Sequence, residues 1–364
     1  MASFRKRGNS WQYRIKHNGE EISKSGFRTK AEAKVAANKV EHELNIGVNI
    51  TASDQLFTDY FKQWFDTYKK GQFSEDNDRT YQHAMALAEE YFADKRLKDI
   101  DHKAYQSFLN DYAKERAKST VDKVNDKVGA PLRHAFNHGH IQHNPTYKVN
   151  IGGDEAADES DKYLNKHEAE KVLGELLNNI RVDYLTRYML ILQLATGARI
   201  GEIMALQFGD LNFLNNRIDI SKTWDYKYTQ DFKPTKNREV RNISVDAQTM
   251  KIIKAVYDDQ RAKKVQDRKQ RLFAKDGKVP GVNAVNKALK RACKRAGVKE
   301  VTSHALRHTH ASLLILNGVS MAYISKRLGH QSITITEGVY SHVVEELEVK
   351  NEKESADMFY DIYN

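Results

Sequence analysis

The chain has 364 residues, a net charge of +10 from 59 Lys and Arg against 49 Asp and Glu, and a single cysteine. That length exceeds one ordinary compact core and predicts several domains; one cysteine excludes an intrachain disulfide, and no apolar run approaches the roughly 18 residues that span a bilayer. A basic chain suits a polyanionic partner, and without a secretory pattern, a low-complexity tract or more than four prolines it is expected to be cytoplasmic, ordered and mainly helical.

Residues 1–50 open with period-two alternation. Trp11, Tyr13 and Ile15 share one face of a strand, Asn18-Gly19 supplies a type I′ turn, and Ile22 returns. Thr29 and Glu32 have capping-box spacing at the head of a helix whose apolar side is Val35, Ala36, Val40 and Leu44. A three-stranded sheet backed by one helix buries little. With ten basic side chains against five acidic ones in this segment, Arg5, Lys6, Arg7, Arg14, Lys16 and Lys24 are expected to meet a phosphate backbone.

GVNITASDQ reads as a linker into a helical domain over residues 51–150. Phe57, Phe61, Trp64, Phe65 and Tyr68 form a stripe at helical spacing, and further helices are predicted near 81–92, 103–114 and 120–137. Such a stripe is core rather than a base-stacking platform. The intervening Lys114, Arg116, Lys118, Lys123 and Lys127 are better candidates for backbone contact. Acidic IGGDEAADESDK, near 151–162, reads as a second linker.

A third domain is expected over 160–345. Leu164 and Asn165 lead into a helix, and DYLTRYMLILQLAT makes a strongly apolar one that stops at Thr196-Gly197. Arg199 therefore starts the next helix, ARIGEIMALQF, where outward N–H groups favour an anion. Period two returns at Ile218, Ile220, Val240, Ile243 and Val245, with KPTKNR as a hairpin tip carrying Lys233 and Lys236. Residues 251–300 hold 16 basic side chains against 5 acidic ones, which suggests a duplex-facing surface; Cys293 within it is expected to be a buried small residue. From Ser341 onward the balance reverses to 2 against 7, and the tail, 346–364, ends on apolar residues suited to packing on protein.

Residues 301–343 concentrate the chemistry: His304 and Arg307 three residues apart, then Gly329-His330, then Tyr340. Phosphodiester exchange needs a nucleophile, cations where the transition state gathers charge, and groups to move two protons. A tyrosine suits breaking and rejoining because its phosphate ester conserves the bond energy, so neither ATP nor a metal cofactor is required. Arginine donates two parallel hydrogen bonds to a phosphate and stays charged. A metal set of His304, His308 and His310 is disfavoured, since no carboxylate or cysteine lies at ligand spacing and Arg307 repels a cation. Tyr323 competes weakly as nucleophile, because it precedes the Gly-His.

TGARIGEI, HALRH, LGHQS and VYSHV, in that order and with ten residues from His330 to Tyr340, resemble the motif set of the tyrosine recombinases, the phage-integrase family. The whole chain is similar in plan to integrases of phages and conjugative transposons of Gram-positive bacteria. The resemblance implies an arm-site DNA-binding domain (1–50), a helical core-site domain (51–150) and an α+β catalytic domain (160–345), a multidomain, mainly α fold with small sheets. It implies that Arg199 and Arg307 clamp the scissile phosphate, that Tyr340 attacks it, and that His304 accepts the tyrosine proton or holds the phosphate. His330 would donate to a non-bridging oxygen, Lys236 (or Lys233) would protonate the departing 5′ oxygen, and Glu202 would buttress the site. A homo-tetramer on double-stranded DNA is expected, working through 3′-phosphotyrosine intermediates and a Holliday junction, with an excision factor or host DNA-bending protein as accessory partner. The alternatives are an inactive DNA-binding protein of the same fold and a type IB topoisomerase.

Overall fold

A computed structural model describes residues 2–17, 19–45, 50–155, 163–262, 267–340 and 343. The chain divides into two compact units, residues 1–156 and 157–364.

The first unit begins with an antiparallel sheet of β1 (Ser3–Arg7), β2 (Ser10–His17) and β3 (Glu20–Phe27), ordered β1-β2-β3, with helix α1 (Lys30–Asn45) packed against it. Tyr13 and Ile15 point into this small core as the alternation predicts, while a register shift between Trp11 and Tyr13 leaves Trp11 half-buried beneath Lys30. Two expectations for α1 are corrected. Thr29 Oγ1 accepts from the Glu32 backbone N–H, but the Glu32 carboxylate reaches the N–H of Arg28 instead of Thr29, so half of the capping box forms. Val35 is 71% exposed, and the buried face is carried by Ala33 and Ala37 with Ala36, Val40 and Leu44 beside them. Small alanines let the helix approach the sheet, and Val35 falls on the opposite side. Asn18 of the predicted turn lies outside the described residues.

The predicted linker contains a short helix, α2 (Ile50–Ser53), and is followed by α3 (Phe57–Tyr68), α4 (Glu75–Phe92), α5 (His102–Ala113) and α6 (Lys118–Asn137). Ser74 and Asp101 cap α4 and α5 by accepting the N–H groups of Asn77 and Ala104. The aromatic stripe is core: Phe57, Phe61, Trp64 and Phe65 are buried against Tyr81, Phe92 and Phe108, and only Tyr68 is exposed. The start of the second linker is tied down, with Asp154 exchanging backbone hydrogen bonds with Arg116 and Lys118.

The second unit is built around α8 (Leu185–Thr196), which follows α7 (Lys166–Leu177). Asn165 and Glu168 cap α7 reciprocally. Helix α8 is apolar on nearly every side and is accordingly enclosed. Next come α9 (Ile200–Met204), β4 (Leu211–Asn212), β5 (Arg217–Ile220), β6 (Lys222–Trp224), β7 (Phe232–Pro234) and β8 (Arg241–Ser244), then α10 (Ala247–Ala262), α11 (Val282–Ala296), α12 (Ser303–Leu316) and α13 (Met321–Leu328). Residues 333–340 are also helical. Helix α9 is much shorter than ARIGEIMALQF suggests.

The strands form one sheet ordered β4-β5-β8 and a separate β6-β7 pair. KPTKNR is therefore no hairpin tip between paired strands: Lys233 lies within β7, and Lys236 occupies the turn that carries the chain from β7 into the other sheet. Val240, expected inside, is 72% exposed, because β8 starts one residue later with Arg241, Ile243 and Val245 facing inward. Cys293 is buried in α11, as expected. The 346–364 tail lies outside the described residues. Among those residues no helix is long and apolar enough to cross a membrane.

Candidate active site

Arg307 occupies the centre of the second unit's site. It is buried on α12; one Nη donates to the Gly197 carbonyl at 2.8 Å and the other to the Leu328 carbonyl at 2.7 Å. Gly197 closes α8 with φ of +68°, and a Cβ there would lie 2.6 Å from the ring of His310. Leu328 is the last residue of α13, whose final carbonyls have no partner within the helix. Arg307 thus ties two chain turns together. Burial and then the charge of Arg199 push its guanidinium down to about 9, which leaves it cationic at neutral pH.

Arg199 is the N-cap of α9 and is half-buried. The Glu202 carboxylate accepts its backbone N–H at 2.8 Å and its Nη1 at 3.1 Å. Glu202, 2% exposed, also accepts two hydrogen bonds from Arg241, at 3.2 and 2.5 Å, and Arg241 Nε donates to the Arg327 carbonyl at 3.0 Å. Burial alone would raise the Glu202 carboxyl; Arg241, then Arg199, overcome this and hold it below the usual carboxylate range.

His304, one turn before Arg307, keeps an edge open to solvent. Loss of water around its ring, then the charges of Arg307, Arg199 and Lys236, disfavour its imidazolium. His330 follows the left-handed cap Gly329, and its Nδ1 lies 2.7 Å from the Thr336 hydroxyl. Burial, then Arg307 and Arg199, bring His330 down to about 4. Tyr340, 2% exposed, places its hydroxyl 3.1 Å from Nδ1 of His308, and burial raises it to about 12.

Of the two lysines, Lys236 is the one whose charge reaches His304. Its turn is pinned by Asn237, which donates to the Gly329 carbonyl at 2.9 Å, directly before His330. Lys233 instead pairs with Asp225 at 2.8 Å. The structure therefore gathers Arg199, Glu202, Lys236, His304, Arg307, His330 and Tyr340 in one region of one unit. Sequence reasoning missed Arg241, Asn237, Thr336 and the contact of His308 with Tyr340. The inward parity of β8 was the available signal for Arg241; the others depend on contacts across 32 to 92 residues or on an unremarkable hydroxyl.

The residues of the rival readings are also placed. His310 donates from Nδ1 to the Leu194 carbonyl and accepts at Nε2 from Arg327, so it is a structural histidine. No group of three metal-ligating side chains occurs among the described residues. Tyr323 lies on α13 beside Arg327.

Arg5, Lys6, Arg7, Arg14, Lys16, Lys24, Lys118 and Lys123 all fall in the first unit. Strand register puts Arg5, Arg7, Arg14 and Lys16 on the sheet face away from α1, with Lys6 and Lys24 on the other. Arg14 pairs with Glu21 and Lys118 with Glu155; Lys123 is exposed. In the second unit, α11 buries Val285, Leu289 and Cys293 and exposes Lys287, Arg291 and Lys294.

Two outcomes are expected. Glu202→Gln leaves two guanidiniums short of a buried counter-charge and should cost about 3–5 kcal/mol, read from the urea midpoint. His310, held at about 4 by burial and then by Arg327, should make stability depend on pH. The unfolded chain protonates this histidine near 6.5 and the fold does so only near 4, so stability is full above 6.5 and declines as pH falls towards 4. The loss from this group is about 3 kcal/mol. Thermal melts from pH 7.5 to 4.5 should show it, and His310→Asn, which takes no proton, should remove this group's share of the slope while that of His330 remains.

The phage integrase family model matches residues 162–346. A prophage ps2 probable integrase of Lactococcus lactis is 27% identical over 337 residues, 85% of this chain and 84% of that protein. The integrase of Staphylococcus phage L54a is 29% identical over 291 residues, 71% of this chain and 80% of that protein. Among solved structures, the Tn1549 transposon integrase in complex with transposon right-end DNA superposes with a TM-score of 0.68 at 18% identity, over 83% of this chain and 100% of that one. A lambda integrase tetramer bound to a Holliday junction gives 0.57 at 18% identity, over 91% and 96%. With the family match covering half of the chain and the arginines, histidines and tyrosine gathered inside the matched segment, the chain belongs to the phage integrase family, the tyrosine recombinases that break and rejoin DNA strands.

Proposed function

We propose that this protein is the integrase of a mobile genetic element, acting in the cytoplasm on double-stranded attachment sites without a metal or nucleotide cofactor. The observation that carries the reading is the convergence of Arg199, Arg307 and His330 beside a buried tyrosine, Tyr340. Residues 1–50 would bind arm sites through the basic open face of the sheet, residues 51–150 would bind core sites, and residues 160–345 would carry out the chemistry. Four protomers would exchange strands in pairs through a Holliday junction, with an excision factor or a DNA-bending protein deciding direction.

In this reading the forks of Arg199 and Arg307 hold the non-bridging oxygens of the scissile phosphate. Tyr340 Oη attacks phosphorus, the bond to the 5′ oxygen breaks, and a 3′-phosphotyrosine forms. Lys236 protonates the departing oxygen. His330 is neutral in the working range, so it has one N–H to give; in the tautomer whose Nδ1 accepts from the Thr336 hydroxyl, that proton sits on Nε2, where it serves a phosphate oxygen. His304, also disfavoured as a cation, would hold the phosphate or accept a proton. Glu202 and Arg241 keep the first arginine aimed.

On a nicked suicide duplex carrying the attachment site, wild type should form a covalent protein–DNA adduct visible on a denaturing gel. Tyr340→Phe should bind the duplex and form none; an adduct in that variant would reject the nucleophile. Lys236→Ala should slow cleavage at least 100-fold and recover on a 5′-bridging phosphorothiolate, whose sulfur leaves without a proton. Lys233→Ala should stay within a few-fold of wild type.

A further inference from the structure

We infer that His308 is the base that receives the Tyr340 proton, a role that the motif set gives to His304 or leaves open. The inference rests on Tyr340 being the nucleophile, as proposed above. Its basis is placement. His308 lies one turn beyond His304 on α12, next to Arg307, and its Nδ1 is 3.1 Å from the tyrosine hydroxyl. The rings sit 5.7 Å apart at 52°, so the hydroxyl meets the nitrogen in the hydrogen-bonding direction rather than stacking on the imidazole. His304 stands behind it, edge to face against His308 at 4.9 Å, with its own edge open to solvent where a phosphate would arrive. The two histidines divide the work: His304 serves the phosphate and His308 serves the nucleophile.

The proton balance closes within the site. As Oη bonds to phosphorus, its proton passes to Nδ1 of His308, while the 5′ oxygen takes a separate proton from the acid on the leaving side. Religation reverses both transfers, and His308 returns its proton to the phenolate. Among the groups facing His308 are Tyr340, His304 and His330. Tyr340 is held neutral by burial, so attack at neutral pH requires an acceptor within reach.

The test is single-turnover adduct formation by the full chain on the nicked suicide duplex, comparing wild type, His308→Asn, His308→Ala and Tyr340→Phe. Asparagine places an amide near the position of Nδ1, so it can keep the hydrogen bond but cannot take a proton. Both His308 variants should bind DNA normally in a gel shift and form adduct about 100-fold more slowly or worse. The residual rate in His308→Asn should keep climbing with pH through the neutral range, where wild type levels off. A wild-type rate in either variant overturns the inference, as does full rescue by asparagine, which would make His308 a positioning residue only. Should the alanine variant lose DNA binding, the asparagine variant decides alone. An adduct in Tyr340→Phe would instead bring down the nucleophile assignment itself, a result distinct from fast His308 variants alongside an inert Tyr340→Phe.

Discussion

A single buried carboxylate sets the terms for the second unit. Glu202 is almost wholly removed from water, which costs several kcal/mol unless the charge is met on good geometry. Arg199 and Arg241 meet it, and Arg241 continues to the end of α13. Arg307 reaches that same helix end from the other direction and ties it to the turn after α8. Three guanidiniums are thus oriented by one carboxylate and three backbone carbonyls. The positive charge is left unbalanced, and its effect is visible in His304 and His330, both driven towards their neutral forms by loss of water and by these arginines. A site with surplus fixed positive charge, low solvent access and few protons to lose is prepared for an incoming phosphate.

Much of this was legible in the sequence, for physical reasons that differ by element. The apolar helix α8 announces its end with Thr196-Gly197, and a left-handed cap there fixes where Arg199 must begin the next turn. His304 and Arg307 are read from helical spacing, and the aromatic stripe of α3 from periodicity. What escaped depends on pairings that no local pattern encodes. The strand following Pro234 looked like the return arm of a hairpin, yet β8 pairs with β5, and Lys233 and Lys236 thereby acquire different surroundings. Val35 and Val240 are apolar by type but lie on outer faces, because the alanines of α1 and the buried Arg241 claim the inner positions. Arg241 is the instructive case: an arginine in a strand pattern reads as solvated unless its distant carboxylate is known.

The same limits apply to the basic surfaces. Ten cations in the first fifty residues say that a face is charged, whereas strand register says which of them act together: Arg5, Arg7, Arg14 and Lys16 share a face, and Lys24 acts on Asp54 from the other. In α11 the separation is cleaner, because helical periodicity alone divides Val285, Leu289 and Cys293 from Lys287, Arg291 and Lys294.

Tyr340 is seated away from the large core of its unit, in a small cluster with Ala311, Ile315, Ile324, Leu328 and Val343. Proteins open in pieces whose free energies follow the apolar contacts each piece holds, and a satellite of this size is a weakly held piece. The free energy needed to expose Tyr340 is therefore more local than that of global unfolding, set by this cluster, the partly buried side chains packed on it and the phenol–imidazole contact. The proposed nucleophile thus sits in a smaller packing unit than the arginines that would hold the phosphate.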